Sequence, residues 1–105
     1  MSRWILVGKV SDFNEGEPVL HDFEYETAAL IRIGDKIYAI EDRCTHDDGP
    51  LADGDIEGCE IACPRHGARF DIRTGKVLSM PASENVPTYP VKIEGDEVFV
   101  EEPEE

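Results

Sequence analysis

Hydrophobic residues come along this chain in short runs, each stopped by glycine, proline or acidic residues. Runs of that length, bounded by turn residues, predict β-strands rather than helices. Residues 4–10 read as a first strand followed by a loop at 11–16, and residues 18–23 as a weaker strand. The clearest element is Ala29-Leu30-Ile31-Arg32-Ile33, then Gly34-Asp35, then Lys36-Ile37-Tyr38-Ala39-Ile40. Gly-Asp between two β-prone runs predicts a two-residue hairpin, because glycine supplies the positive φ that the tight turn needs. Residues 91–94, Gly95-Asp96 and 97–100 repeat that logic near the C-terminus. Residues 56–62 predict another short strand, and 69–72 with 76–78 bracket a turn at Thr74-Gly75. Residues 79–90 hold Pro81, Pro87 and Pro90 and predict an irregular, ordered loop. No window sustains a period near 3.6, so any helix is short. The expectation is one all-β domain over residues 1–105, with a frayed acidic tail at 101–105.

Composition adds a charge bias. The 105 residues carry 24 acidic against 10 basic side chains, a formal charge of −14. Such a field repels nucleic acid and anionic membrane and steers association with a basic protein partner; keeping the chain dissolved is its plainer use. The apolar stretch Trp4-Ile5-Leu6-Val7 is too short for a signal-peptide core or a membrane span. Three cysteines, an odd number, read as metal ligands or reduced thiols rather than as a disulfide framework. The expected compartment is the cytoplasm.

Two compact pairs carry the chemistry, Cys44-Thr45-His46 and Cys63-Pro64-Arg65-His66, with 16 residues between His46 and Cys63. Each offers one soft thiolate and one imidazole, a set that suits iron–sulfur, zinc or copper better than calcium or magnesium. Each follows a strand-like run and enters a loop containing glycine or proline. Zinc is the competing occupant, since two cysteines and two histidines are also an ordinary zinc set. Zinc fingers, however, usually pair cysteine with cysteine and histidine with histidine, whereas each loop here supplies one of each.

Cys44-x-His46 followed by Cys63-Pro64-x-His66-Gly67 resembles the ligand pattern of the Rieske family. The resemblance continues through Arg69-Phe70-Asp71, Thr74-Gly75 and the Pro81 loop, and covers nearly the whole chain. It implies a Rieske-like antiparallel β-sandwich with a small cluster-binding subdomain built from two ligand loops and a proline loop. It also implies one [2Fe–2S] cluster, with Cys44 and Cys63 on one iron and His46 and His66 on the other. Two ferric ions, two sulfides and two thiolates sum to zero with neutral imidazoles, so reduction is easier than for an all-cysteine cluster.

Departures from the pattern narrow the subclass. Respiratory Rieske proteins carry an extra cysteine in each ligand loop, and the two form a disulfide; the matching positions here are Gly49 and Arg65. Those proteins also place a serine and a tyrosine against the cluster sulfurs, where this chain has Ala68 and Phe70. Each missing donor lowers the expected potential. The chain thus resembles the soluble ferredoxins of ring-hydroxylating dioxygenase systems. The partners so implied are a flavin-dependent reductase and a terminal oxygenase, and the carrier itself is expected to be monomeric. The alternative is a Rieske-type subunit or redox module of a larger enzyme, such as an assimilatory nitrite reductase. A terminal oxygenase is not expected at this length, and His21 is the one histidine left in these residues for a second iron site.

Other residues take simpler roles. Cys59 is expected to pack as a small apolar side chain on the 56–62 strand, and His21 to be an ordinary surface or edge residue. Arg43, Arg65, Arg69 and Arg73 gather around the ligand loops beside Asp47 and Asp48, either as a mixed-charge docking face or as local ion pairs. Gly67 is expected to turn its amide toward a sulfide, Pro81 to cover the cluster, and Trp4 and Phe99 to belong to the core.

Overall fold

A computed structural model describes residues 3–103. Strand β1 (Arg3–Lys9) leads through a 3-10 turn (Val10–Asp12) to β2 (Val19–Asp22) and the hairpin β3 (Thr27–Ile33) and β4 (Lys36–Glu41). A long loop then reaches β5 (Ile56–Glu57), β6 (Glu60–Ala62) and β7 (Arg69–Asp71). The chain closes through β8 (Thr88–Tyr89), β9 (Val91–Glu94) and β10 (Glu97–Glu102). There is no α-helix among the described residues, and none long and apolar enough to cross a membrane. All sheet pairings between named strands are antiparallel.

The strands form three sheets, ordered β1-β10-β9, β2-β3-β4-β8 and β5-β6-β7. The four-stranded sheet is the middle layer. On one face Ala28, Leu30, Ile37 and Ala39 join Phe13, Tyr89, Val98 and Val100 in a core shared with the first sheet. On the other face Ala29, Ile31 and Ile40 meet Leu51, Ile61, Phe70, Ile72 and Val86 from the third sheet and the loops. Being covered on both faces explains why β3 reads as a continuous apolar run, Ala28-Ala29-Leu30-Ile31, instead of alternating. Each fully buried Leu, Ile or Phe contributes about 1.5–3 kcal/mol by leaving water.

Both predicted hairpins form, with Gly34 at φ 65° and Gly95 at φ 64° in their turns. Several expectations fail in instructive ways. The 56–62 segment is two strands, not one, because Gly58-Cys59 makes a tight turn between β5 and β6. Cys59 is therefore half-buried at a turn rather than packed on a strand. Of residues 76–78, Val77 pairs with Phe70 as an isolated bridge. The 79–90 loop is interrupted by β8, whose Tyr89 and Thr88 pair with Ala39 and Ile40. Glu101 and Glu102, expected in a frayed tail, pair with Trp4 and Arg3, and Arg3 bonds Glu102 at 2.6 Å. Glu104 and Glu105 lie outside the described residues.

Trp4 and Phe99 are not core residues. Alternation on β1 sends Ile5 and Val7 against the core and leaves Trp4 and Leu6 on the outer face. Lys92 sits over both aromatic rings, 4.6 Å from the Trp4 centroid and 5.6 Å from that of Phe99.

Candidate metal centre

The two cysteine–histidine pairs occupy two turns of the same design. In the first, the Cys44 amide donates to Gly49 O at 2.7 Å, and the Asp48 amide to Cys44 O at 2.8 Å. In the second, the Cys63 amide donates to Ala68 O at 2.7 Å, and the Gly67 amide to Cys63 O at 2.9 Å. Each cysteine thus opens a six-residue loop closed by its own backbone. The fifth residue of each has positive φ, 62° at Asp48 and 79° at Gly67. Glycine adopts that conformation freely and aspartate tolerates it better than most residues. The Gly67 amide, expected to face a sulfide, is instead used to close its loop. Asp48 carried no sequence signal beyond this tolerance.

The turns face each other. Both thiols are buried, Cys44 fully, and neither is in a disulfide. His66 Nε2 lies 3.6 Å from Cys63 Sγ and 3.8 Å from Cys44 Sγ. The exposed His46 ring stands edge-on to His66 with centroids 4.6 Å apart. Donor atoms of Cys44, Cys63, His66 and Asp47 lie within 4.8 Å of one another. His46 is adjacent to that group but outside it, and Asp47 is a member that the sequence pattern did not mark. Cys59 and His21 are not in the group; His21 packs edge-on against Phe23.

The donor set fits a metal centre. His66 Nδ1 is buried and, among the described residues, has no hydrogen-bond partner. A buried nitrogen in that state is costly unless something accepts its lone pair or proton. Burial pushes the Cys44 thiol up from its ordinary pKa, while the amides of His46 and Asp47 pull the other way. Two buried thiols beside an imidazole whose Nδ1 is unpartnered are what metal ligation resolves, since a thiol bound to a metal is deprotonated outright.

The surrounding arginines are all paired locally. Arg43 bonds Glu41 and Asp48, Arg69 bonds Glu57 and Glu60, and Arg73 bonds Asp71. Arg65 crosses from the second loop to Asp47 and to Pro50 O in the first. That partner holds the Asp47 carboxyl below its ordinary range, with the Gly49 amide as the next cause. Of the two roles open to these arginines, local ion pairing is what the geometry displays. Asp42 anchors the long loop by accepting the amides of Leu51 and Ala52, each at 2.8 Å. Thr45 Oγ1 donates to Glu84 O at 2.6 Å, tying the first cysteine loop to the proline loop. Ala68 and Phe70, both fully buried, bring no hydroxyl to the site.

The match to known proteins agrees with this geometry. Residues 3–90 match the Rieske [2Fe-2S] domain family. The chain belongs to that family: it is a Rieske ferredoxin, an electron carrier whose cofactor is a [2Fe–2S] cluster. It is 41% identical, over 94% of its length and 95% of the relative's, to the ferredoxin component of the naphthalene 1,2-dioxygenase system of Pseudomonas putida. Among solved structures it is similar to the ferredoxin of carbazole 1,9a-dioxygenase from Nocardioides aromaticivorans IC177. That match has TM-score 0.88 and 32% identity, over 92% of this chain and 95% of the other. It also matches a chain in a complex of reduced oxygenase and oxidized ferredoxin in carbazole 1,9a-dioxygenase, with TM-score 0.87 and 34% identity over 92% and 91%. A putative NADH-dependent nitrite reductase small subunit from Mycobacterium tuberculosis shares the fold, TM-score 0.86 over 99% and 98%, at 18% identity.

Proposed function

We propose that this ferredoxin carries single electrons from a flavin-dependent reductase to the terminal oxygenase of a ring-hydroxylating dioxygenase system. Cys44 and Cys63 would hold one iron, and His46 and His66 the other. The observation that carries the reading is the polarity of the site: both thiols are buried, His66 beside them is half-buried, and His46 stands edge-on to it on the exposed side. When bound, the cluster supplies a one-electron couple. The protein's own residues then decide where the electron leaves. The inner thiols are walled off by Leu51, Ile61, Phe70 and Ile72, so a docked partner comes nearest to the imidazole edge. The potential falls toward the low end of the Rieske range of roughly −150 to +300 mV, because Ala68 and Phe70 offer no hydroxyl to the sulfurs.

A formal charge of −14 supports brief, salt-sensitive association with basic partner surfaces. The protein is proposed to work as a monomer in the cytoplasm, where its three free cysteines stay reduced. Anaerobic purification, visible absorption and low-temperature EPR before and after dithionite, with iron and sulfide counted, test the ligand set. A rhombic reduced signal with average g below that of an all-cysteine cluster, and two irons per chain, is expected. A colourless protein with one zinc overturns the reading.

A further inference from the structure

Arg65 belongs to the second ligand loop, yet its guanidinium bonds entirely to the first. Nε and Nη2 donate to the two carboxylate oxygens of Asp47, the latter at 2.9 Å, and Nη1 donates to Pro50 O at 2.9 Å. The guanidinium lies directly over Gly49. A Cβ built there would meet Arg65 Cζ at 2.6 Å, Nη2 at 2.7 Å and Nε at 2.9 Å. Gly49 is not among the residues with positive φ, so its backbone does not require glycine. A side chain there would instead have to displace the Arg65 guanidinium.

An exposed ion pair by itself contributes little. This one is a planar fork on a carboxylate, with a third bond to main chain and a seat cleared of side chain, which fixes its geometry. It spans two loops that no disulfide joins. Its charges also sit beside the donor atoms: Asp47 Oδ2 lies 3.3 Å from His66 Nε2, and Asp47 is one of the four residues whose donor atoms lie within 4.8 Å of one another.

Resting on the cluster reading above, we propose that Arg65, Asp47 and Gly49 form a clasp that closes one ligand loop on the other. The clasp slows loss of the [2Fe–2S] cluster and sets part of its reduction potential. Asp47 Oδ1 also accepts the Gly49 amide at 3.0 Å and Oδ2 lies 3.3 Å from His66 Nε2; Asp47 and Arg65 act through the loops they join and are positioning residues. Reduction adds one negative charge to the site. A fixed cation beside it favours the reduced state and a fixed anion opposes it.

The test uses the cluster-loaded full chain and two readouts: decay of visible absorbance under excess chelator, and midpoint potential by redox titration. Arg65→Gln and Asp47→Asn should each lose the cluster roughly tenfold faster, the lower end of what such supporting contacts contribute. Their potentials should move in opposite directions, down for Arg65→Gln and up for Asp47→Asn. The double variant should return toward the parent potential yet decay no faster than either single variant, because one clasp can be opened only once. Gly49→Ala should decay like Arg65→Gln and add nothing in the Arg65→Gln background. Arg65→Lys, which keeps charge but not the fork, should hold its potential and still decay faster.

Variants that decay at the parent rate, or whose potentials move together, overturn the clasp while a Rieske spectrum in the parent leaves the cluster reading standing. A parent without that spectrum overturns the reading and the clasp with it.

Discussion

The two halves of this molecule are held by different means. In the scaffold half, β3 pairs with β4 over six registered positions and β1 with β10 over six, and the faces close on apolar side chains. In the site half, β5, β6 and β7 are only two or three residues long. Its loops have little ladder, so their backbone groups are satisfied by turn bonds within the loops and by polar side chains. Asp42 takes the amides of Leu51 and Ala52, Asn85 takes Val77 N at 2.9 Å, and Ser79 takes Arg69 N at 3.1 Å. Thr45 and Arg65 add the bonds between loops. A hydrophobic pattern is enough to mark the strands of a sheet. A site that presents two loops at fixed distance needs ties placed one residue at a time.

The largest test of this division removes one of the proposed ligands. Cys63→Ala should abolish cluster absorbance and the reduced EPR signal. Amide exchange in β3, β4 and β10 should stay slow, while residues 44–49 and 63–68 lose protection. Uniform loss of protection would show that the halves are one cooperative unit. Next, Leu30→Ala in the scaffold core, where Leu30 is fully buried, should lower unfolding stability by about 2–5 kcal/mol. The spectrum of the folded fraction should be unchanged, as Leu30 packs in the core away from the cysteines.

A smaller effect is expected from Asp42→Ala, which leaves two amides without their acceptor. A loss of about 1–3 kcal/mol by denaturant titration is expected, with faster exchange concentrated at Leu51 and Ala52. The gentlest test is alkaline pH. Burial first, and then its hydrogen bond to Glu26 at 2.6 Å, hold the Tyr89 phenol well above its ordinary pKa. The folded chain therefore keeps a proton that the unfolded chain gives up near pH of about 10. Stability from Tyr89 is complete below that value and is lost as pH rises beyond it toward the folded-state pKa. Thermal melts between neutral and strongly alkaline pH should fall more steeply for the parent than for Tyr89→Phe.

Much of this was legible from particular residues. Gly34-Asp35 and Gly95-Asp96 marked two hairpins, because only a few residue types fit such turns. The cysteine–histidine spacing marked the two loops that the fold brings face to face, because soft donors in pairs have few other uses. Trp4 was misplaced for a physical reason. Both faces of β1 are apolar, Ile5 and Val7 on one and Trp4 and Leu6 on the other, so alternation alone does not say which is inside. Cys59 was misplaced because Gly58 turns the chain before it. Strand β8 was hidden among prolines, since its two residues gain their pairing from β4 rather than from any pattern of their own.

The sequence by itself determined the local elements and the chemistry: which segments extend, where they turn, and which side chains offer soft donors. Those follow from backbone sterics and ligand preference within a few residues of chain. Tertiary structure alone decided which strands beyond the two hairpins become neighbours, which face of β1 meets solvent, and how the two cysteine–histidine loops are brought opposite each other. Asp47 and Arg65 are 18 residues apart, and no spacing rule predicts that a guanidinium from one loop will settle on a glycine of the other. That pairing exists only because the middle sheet and its covering layers fix where both loops begin and end.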